Sequence, residues 1–271
     1  MFGSRLNDEV AVAIDGYEIS GVSSIDFSYS NSANIVKPLG SKKGLTTVGG
    51  ATQQKVSISS HMIYNDPLLD YTGNDISLIN QQGVMSGNIR YSDIAYRFSE
   101  GYLDSYSVNC AVGTVPKVNA SILVYDEFLS GSEVLSDAGI PSDISITSQG
   151  SINVTCDNST TNRVIGFDYS IKSNRKPHFS IGSETPASVE LILPLEFTAQ
   201  VQIEVDEAFP ESSFSFLENR ENKTVVFDIN RKDGSNLQEL TIPNATLVSE
   251  SISASDNGSA ILNLNYIGHG F

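Results

Sequence analysis

Apolar and polar residues alternate along most of the chain. Val10, Val12 and Ile14 alternate, then Ile25, Phe27 and Tyr29, then Val56 and Ile58, and later Val108, Ala120, Ile122 and Val124. The habit continues in Ile144 and Ile146, Ile152 and Val154, and Ile165, Phe167, Tyr169 and Ile171. Val189, Leu191 and Leu193 precede Phe197, Ala199, Val201, Ile203 and Val205, and Ile261, Leu262, Leu264 and Tyr266 close the series. A period of two, built from β-branched and aromatic residues, predicts half-buried strands. Helical signals are few. Asp75–Gln82 could make two turns. Ser132–Ala138 has Ser132 as a cap and Glu133 in the first turn. Pro210 opens a third candidate that runs to about Asn219. The chain reads as mainly β with a few short helices.

One stretch near the midpoint breaks the alternation. Asp126–Asp143, DEFLSGSEVLSDAGIPSD, is acidic and carries two glycines and a proline. It divides the chain into a first β domain at 1–128, a linker at 129–143 and a second β domain at 144–271. The two halves resemble each other. FSYSNSANIVKP (Phe27–Pro38) and FDYSIKSNRKP (Phe167–Pro177) share Phe-x-Tyr-Ser, a polar run and Lys-Pro, at an offset of 167 − 27 = 140. Each is preceded by an apolar strand and a polar turn, around Asp15–Gly16 and Asp157–Asn158. Toward the ends, Tyr102–Tyr125 matches Thr246–Tyr266: a Leu, a Ser-rich alternating strand, a turn, a second strand and a Tyr. The offsets there are 247 − 103 = 144 and 266 − 125 = 141. Landmarks in one order at nearly one offset point to tandem duplication. Each half also carries an irregular segment after its Lys-Pro, Leu39–Gln54 and His178–Ser188. Segments of that length inside compact β domains tend to have a role.

Composition narrows the function classes. The formal net charge is −16, and charged residues are only 18% of the 271. Ser, Asn, Thr and Gly fill the difference, which gives a polar but mostly uncharged surface. A protein this acidic repels nucleic acid, so duplex binding by counterion release is not expected. A wall past which DNA must slide without sticking is compatible with it. The two cysteines, Cys110 and Cys156, are expected to be reduced and structural. MFGSRLNDEV has no apolar core of signal-peptide length, so a product assembled inside a cell is expected. The six Asn-x-Ser/Thr sequons are then expected to be unmodified, as chance matches in a chain rich in those residues.

Catalytic chemistry has no foothold in the pattern. His61, His178 and His269 have no neighbours at ligand spacing. There is no Gly-x-Ser-x-Gly elbow, Walker loop or Rossmann fingerprint. Asp126–Glu127 and Asp206–Glu207 fall where strands end, and acidic turns are common there. Asn65–Asp75 is acidic but wrongly spaced for a calcium loop. Arg90, Tyr91, Tyr96, Arg97 and Phe98 form the nearest aromatic–basic interleaving and read as one face of a strand or connection with salt bridges to the acidic surface. No enzymatic activity, metal or cofactor is expected.

The end-of-domain hairpin carries a resemblance. Leu103, Ser105, Tyr106, Ser107, Val108, Val112, Gly113 and Pro116 match a Leu-x-Ser-x-Ser-Val-x-x-x-Val-Gly-x-x-Pro pattern that resembles bacteriophage tail tube (major tail) proteins. The second half keeps Leu247, Ser249, Glu250, Ser251 and Ile252, with Ser255–Gly258 in place of the Gly-Thr-Val-Pro turn. The resemblance implies two tandem tail-tube-like β-sandwich or barrel domains, each with one short helix and a long loop. It implies rings joined sheet edge to sheet edge, closing a β-barrel lumen. A fused pair would supply two of six positions, so three chains would close a pseudo-sixfold ring around an acidic bore. Rings would stack head to tail through the long loops, with Lys37, Lys42, Lys43, His178 and Glu184 as the contact residues.

The partners so implied are further copies of the chain, terminator and baseplate proteins, a sheath in contractile tails, and phage DNA in transit. The location implied is the virion tail, assembled in the host bacterial cytoplasm. Two other readings stand beside it. One is a single-ring hub, distal-tail or neck protein of the same fold. The other is a host- or glycan-binding β-sandwich, which needs an exposed aromatic cluster; Tyr91, Tyr96, Tyr102 and Tyr106 are close in sequence but spread over more than one strand and face.

Overall fold

The computed structural model describes residues 10–36, 46–72, 83–91, 94–131, 151–157, 159–181, 183–205, 222–231, 233–254 and 259–270. The protein is mainly β. The first half holds β1 (Val10–Ile14), β2 (Tyr17–Glu18), β3 (Val22–Val36), β4 (Thr46–His61), β5 (Val84–Tyr91), β6 (Ile94–Ala111), β7 (Lys117–Val124) and β8 (Leu129–Gly131). The second half holds β9 (Ile152–Cys156), β10 (Ser159–Thr161), β11 (Val164–His178), β12 (Ser188–Val205), β13 (Lys223–Asn230), β14 (Asn236–Ser253) and β15 (Ala260–Gly270). Among the described residues the helical element is a 3-10 turn at Pro67–Thr72. The helices expected at Asp75–Gln82, Ser132–Ala138 and Pro210–Asn219 lie outside the described residues, as does the strand expected at Ile144–Ile146.

All pairings are antiparallel, and they follow one plan twice. β1 pairs with β2 and β5, β5 with β6, β6 with β7, β7 with β4, and β4 with β3. β9 pairs with β10 and β13, β13 with β14, β14 with β15, β15 with β12, and β12 with β11. Even the irregularities repeat. Bulges fall between Val22 and Ser24 and between Val164 and Gly166. They fall between Met85 and Gly87 and between Lys223 and Val225. They fall again between Leu103 and Ser105 and between Leu247 and Ser249. A bulge adds one residue and bends its strand, so shared bulges mean shared curvature.

The turn after the first strand is likewise repeated. Ile14 pairs with Tyr17, and the two residues between them, Asp15 and Gly16, have φ of 48° and 81°. That is the geometry of a type I′ hairpin, where Gly costs nothing and Asp is tolerated. Asp157 has φ 53° at the matching place, 157 − 15 = 142 residues on. Asp15 Oδ1 accepts from Ser86 N at 2.6 Å, and Asp157 Oδ1 accepts from Thr224 N at 3.3 Å.

The strand register corrects the alignment of the opening motifs. Ile25, Phe27 and Tyr29 face Ile58, Val56 and Gln54, whereas Phe167, Tyr169 and Ile171 face Val201, Ala199 and Phe197. Ile25-Asp26-Phe27-Ser28-Tyr29 therefore corresponds to Phe167-Asp168-Tyr169-Ser170-Ile171, an offset of 142 rather than 140. A two-residue slip keeps every side chain on its face, so alternation alone does not reveal it. The segment expected to be an irregular loop at Leu39–Gln54 is also corrected: Thr46–Gln54 belongs to β4. In the second half the connection is the turn 179–187 between β11 and β12. Leu129–Gly131, expected in the linker, form β8 on Ala95–Arg97 of β6.

Most buried apolar side chains of both halves form one continuous cluster. In the first half it includes Ile14, Val56, Ile58, Met85, Ile89 and Ile122, and in the second Phe167, Phe197, Val201, Phe227, Leu240 and Leu264. Phe227 lies 5.2 Å from the Phe167 ring and 6.0 Å from the Tyr169 ring, centroid to centroid.

Candidate assembly interface

The halves are joined by a strand pairing. The C-terminal part of β6 lies antiparallel to the start of β11, with Ser105 to Ala111 opposite Lys172 to Gly166 in unbroken register. β6 is long enough to make two successive sets of pairings. Its first part pairs with β5, and after the Leu103–Ser105 bulge its last part lies between β7 and β11.

The two faces of this seam differ. Toward the core stand Tyr106, Val108, Phe167, Tyr169 and Ile171, all buried. Val108 lies opposite Tyr169, an aromatic–β-branched pair of the kind that stabilises sheets. The Tyr106 hydroxyl donates to Asp66 Oδ2 at 3.0 Å, and Leu68 N donates to Asp66 Oδ1 at 3.0 Å. Asp66 N in turn donates to Gln238 Oε1 of the second half at 3.2 Å. Burial pushes the Asp66 carboxyl above its ordinary range, against the opposing pull of these two donors. Burial, with the Asp66 charge beside it, pushes the Tyr106 phenol up as well.

The opposite face is polar. It presents Ser105, Ser107 and Asn109 from β6 and Asp168, Ser170 and Lys172 from β11. Thr198 and Gln200 of β12 continue it on one side and Ser57 and Ser59 of β4 on the other. Hydroxyl and amide groups dominate, with scattered charges of both signs. Two shallow depressions lie along it, both touching Asn109 and Asp168 across the seam.

A second contact ties the outer part of the β11–β12 hairpin to the first half. Arg175 lies over the Tyr102 ring at 5.5 Å, Tyr102 packs on Tyr125 at 5.8 Å, and Val189 joins Leu123 in the same small apolar cluster. Cation–π and aromatic contacts add to the area buried there.

Besides the short strands β2, β8 and β10, which each have one partner, two longer edges are unpaired among the described residues. β3 pairs only with β4, and Thr246–Ser253 of β14 pair only with β15. By strand order β3 is the counterpart of β11, and β14 that of β6. The chain thus holds one formed seam and the two separate halves of another. Open edges of this kind invite pairing with another chain.

Of the expected inter-ring contacts, Lys37, Lys42 and Lys43 lie outside the described residues. His178 ends β11 and faces Glu190 across the hairpin, Nε2 to Oε2 2.9 Å, on the exposed surface. Glu184 is exposed in the turn 179–187. Phe179, Ile181, Ile192 and Leu193, also exposed, belong to this same hairpin end. Among the described side chains the tyrosines considered for a glycan-binding cluster do not gather on one exposed face. Tyr102 and Tyr106 are buried, and Tyr96 packs 5.7 Å from Phe27. Cys110 and Cys156 are free thiols, and burial raises both above the ordinary thiol value. Among the described residues no group of three or more His, Cys, Asp or Glu is placed to hold a metal ion. No helix among them is long and apolar enough to cross a membrane.

Comparison with known proteins adds little. No protein-family model matches the chain. No curated protein matches it. Among solved structures, it is similar to a chain of one described as "Virion of native gene transfer agent (GTA) particle", with a TM-score of 0.38 and 10% identity over 47% of this chain and 99% of that one.

Proposed function

We propose that this protein is a structural component of a virion, of the tail-tube type, with no enzymatic role. Copies join sheet edge to sheet edge into a ring, and rings stack into a tube through which DNA passes. One observation carries the reading: the chain contains a strand-to-strand seam between two like-folded halves and, among the described residues, leaves one edge of each matching strand, β3 and the end of β14, without a neighbour. Such an arrangement extends head to tail, and a head-to-tail contact closes a ring when its rotation permits. Each chain supplies two like units, so a ring of three chains has pseudo-sixfold symmetry. Closure removes the exposed edges that would otherwise aggregate.

In this reading the Ser-, Asn- and Gln-rich face lines the bore. Hydroxyls and amides offer DNA no array of cations, and the −16 net charge opposes sticking. The β11–β12 hairpin end, with exposed Phe179, Ile181, Ile192 and Leu193, serves the contact between rings. Terminator and baseplate proteins would meet the ends of the tube.

Negative-stain microscopy with a mass measurement on the purified protein tests this. Three-chain rings or tubes with a central channel are expected. Rings that never stack would replace the tube by a single-ring tail component. A monomer at every concentration would remove the reading altogether.

A further inference from the structure

We infer that the edge of β3 in one copy pairs antiparallel with Ser249–Ala254 of β14 in the next, in the register of the internal seam. The inference rests on the reading that copies join edge to edge, and it names the residues that meet. The strand order and the shared bulges equate β11 with β3 and β6 with β14. Carrying the internal pairs across gives Ile25 opposite Ala254, Asp26 opposite Ser253 and Phe27 opposite Ile252. It continues with Ser28 opposite Ser251, Tyr29 opposite Glu250 and Ser30 opposite Ser249.

Two independent features favour a second copy as the occupant. First, the polar-face residues of the formed seam recur at the open edges. Ser105 and Ser107 become Ser249 and Ser251, and Asp168 and Ser170 become Asp26 and Ser28. Second, apolar residues left exposed correspond to residues the internal seam buries. Ile252 is 62% exposed and its counterpart Val108 0%. Phe27 is 42% exposed against 1% for Tyr169, and Tyr29 64% against 1% for Ile171. Ile267 is 51% exposed, whereas its counterpart Leu123, which packs with Val189 of the β11–β12 hairpin, is 8%. Large apolar side chains lined up along an open edge are an aggregation hazard unless an interface covers them. Phe27 against Ile252 would reproduce the aromatic–β-branched pairing of Tyr169 against Val108.

Paired cysteines on the polar face test the register. A chain carrying Ser28→Cys with Ser251→Cys puts the thiols directly opposite, where Cβ atoms lie about 4.5–5.5 Å apart. A chain carrying Ser28→Cys with Ser249→Cys puts them on the diagonal, at roughly 7–8 Å. Under mild oxidation the first should give a ladder of disulfide-linked chains and the second should not, because disulfide geometry is restrictive. Single-cysteine chains report any bond made through Cys110 or Cys156.

A ladder from the diagonal pair equal to that from the aligned pair would overturn the inference. Rings seen by microscopy without the aligned disulfide would overturn it while leaving the tube reading standing. Linked rings that never stack would uphold it and remove the tube. A monomer throughout would remove both. Ile252→Asp, an exposed position in the single chain, should abolish assembly while leaving the thermal melt of the monomer in place. Assembly at the unsubstituted level would overturn the inference.

Discussion

Replacing Tyr106 by Phe removes a single hydroxyl from the internal seam. The ring stays, so packing against Ile171 and Val108 is kept. What is lost is the bond to Asp66 Oδ2 at 3.0 Å, inside a fully buried setting. A hydrogen bond to a charged group contributes about 1.5–3 kcal/mol. Leu68 N still donates to the other oxygen at 3.0 Å, so the carboxylate is not stranded. A loss of about 2 kcal/mol is therefore expected at neutral pH. For a chain of this size that lowers the Tm by roughly 4–8 °C.

The cost should depend on pH, with a defined sign. Burial holds the Asp66 pKa above its ordinary value of 3.8. Its contribution to stability is then fully present below the unfolded value and is lost as pH rises through the raised folded value. The Tyr106 hydroxyl favours the ionised form and so limits that loss. Without it the folded pKa rises further, and the variant suffers most where Asp66 is ionised. Urea unfolding followed by circular dichroism should show a larger cost at about pH 8 than at about pH 4, with an unchanged m-value. Protein concentrations that keep the chain monomeric separate folding from assembly. Equal costs at both pH values would refute the assignment of Asp66 as the acceptor that matters.

Asp66→Asn should flatten the same window: the difference in stability between wild type and variant should shift in the variant's favour as pH rises, and a pH-independent difference would count against a raised carboxyl. Phe227→Ala empties a fully buried site between Phe167 and Tyr169 and should cost about 3–5 kcal/mol in chemical unfolding. Gly101→Val meets the Phe98 ring, since a Cβ built at Gly101 lies 2.4 Å from Phe98 Cε2 and 3.1 Å from Ile122 Cγ2; overpacking should lower stability by about 1–3 kcal/mol in thermal melts. Asp15→Ala should destabilise more than Asp157→Ala. The Asp15 side chain accepts from Ser86 N, Ser86 Oγ and Tyr71 Oη, whereas Asp157 accepts from Thr224 N and pairs with Lys223. Parallel melts of the two variants check the order.

Much of the fold is legible in residue order because strand formation has a local signal. Val10, Val12 and Ile14 alternate and form β1, and Phe197 to Val205 alternate and form the second part of β12. Val225, Phe227 and Ile229 carry the same signal and form β13, although neither it nor β5 was among the expected strands. The strand order that recurs in the two halves has a local trace in the Ser-rich hairpins and in the turns at Asp15 and Asp157. The candidate interface was much less legible. Ser105, Tyr106, Ser107 and Val108, picked out by motif, lie on the seam, but nothing local names β11 as their partner. The buried Asp66 and its bond to Tyr106 join residues 40 apart in sequence.

What the sequence determined by itself is the strand character of most of the chain and which side of those strands is apolar. Those follow from a period of two and from turn chemistry, and both act over a few residues. What only the tertiary structure decided is the register and the choice of partner. Sliding one strand by two residues leaves every side chain on its own face, so Phe27 could be matched to Phe167 by pattern, although the sheet pairs it as the equivalent of Tyr169. Bulges, cross-strand packing and the bent course of β6 break that degeneracy. They act between segments far apart in the chain, and among the described residues they leave long open edges on β3 and the end of β14.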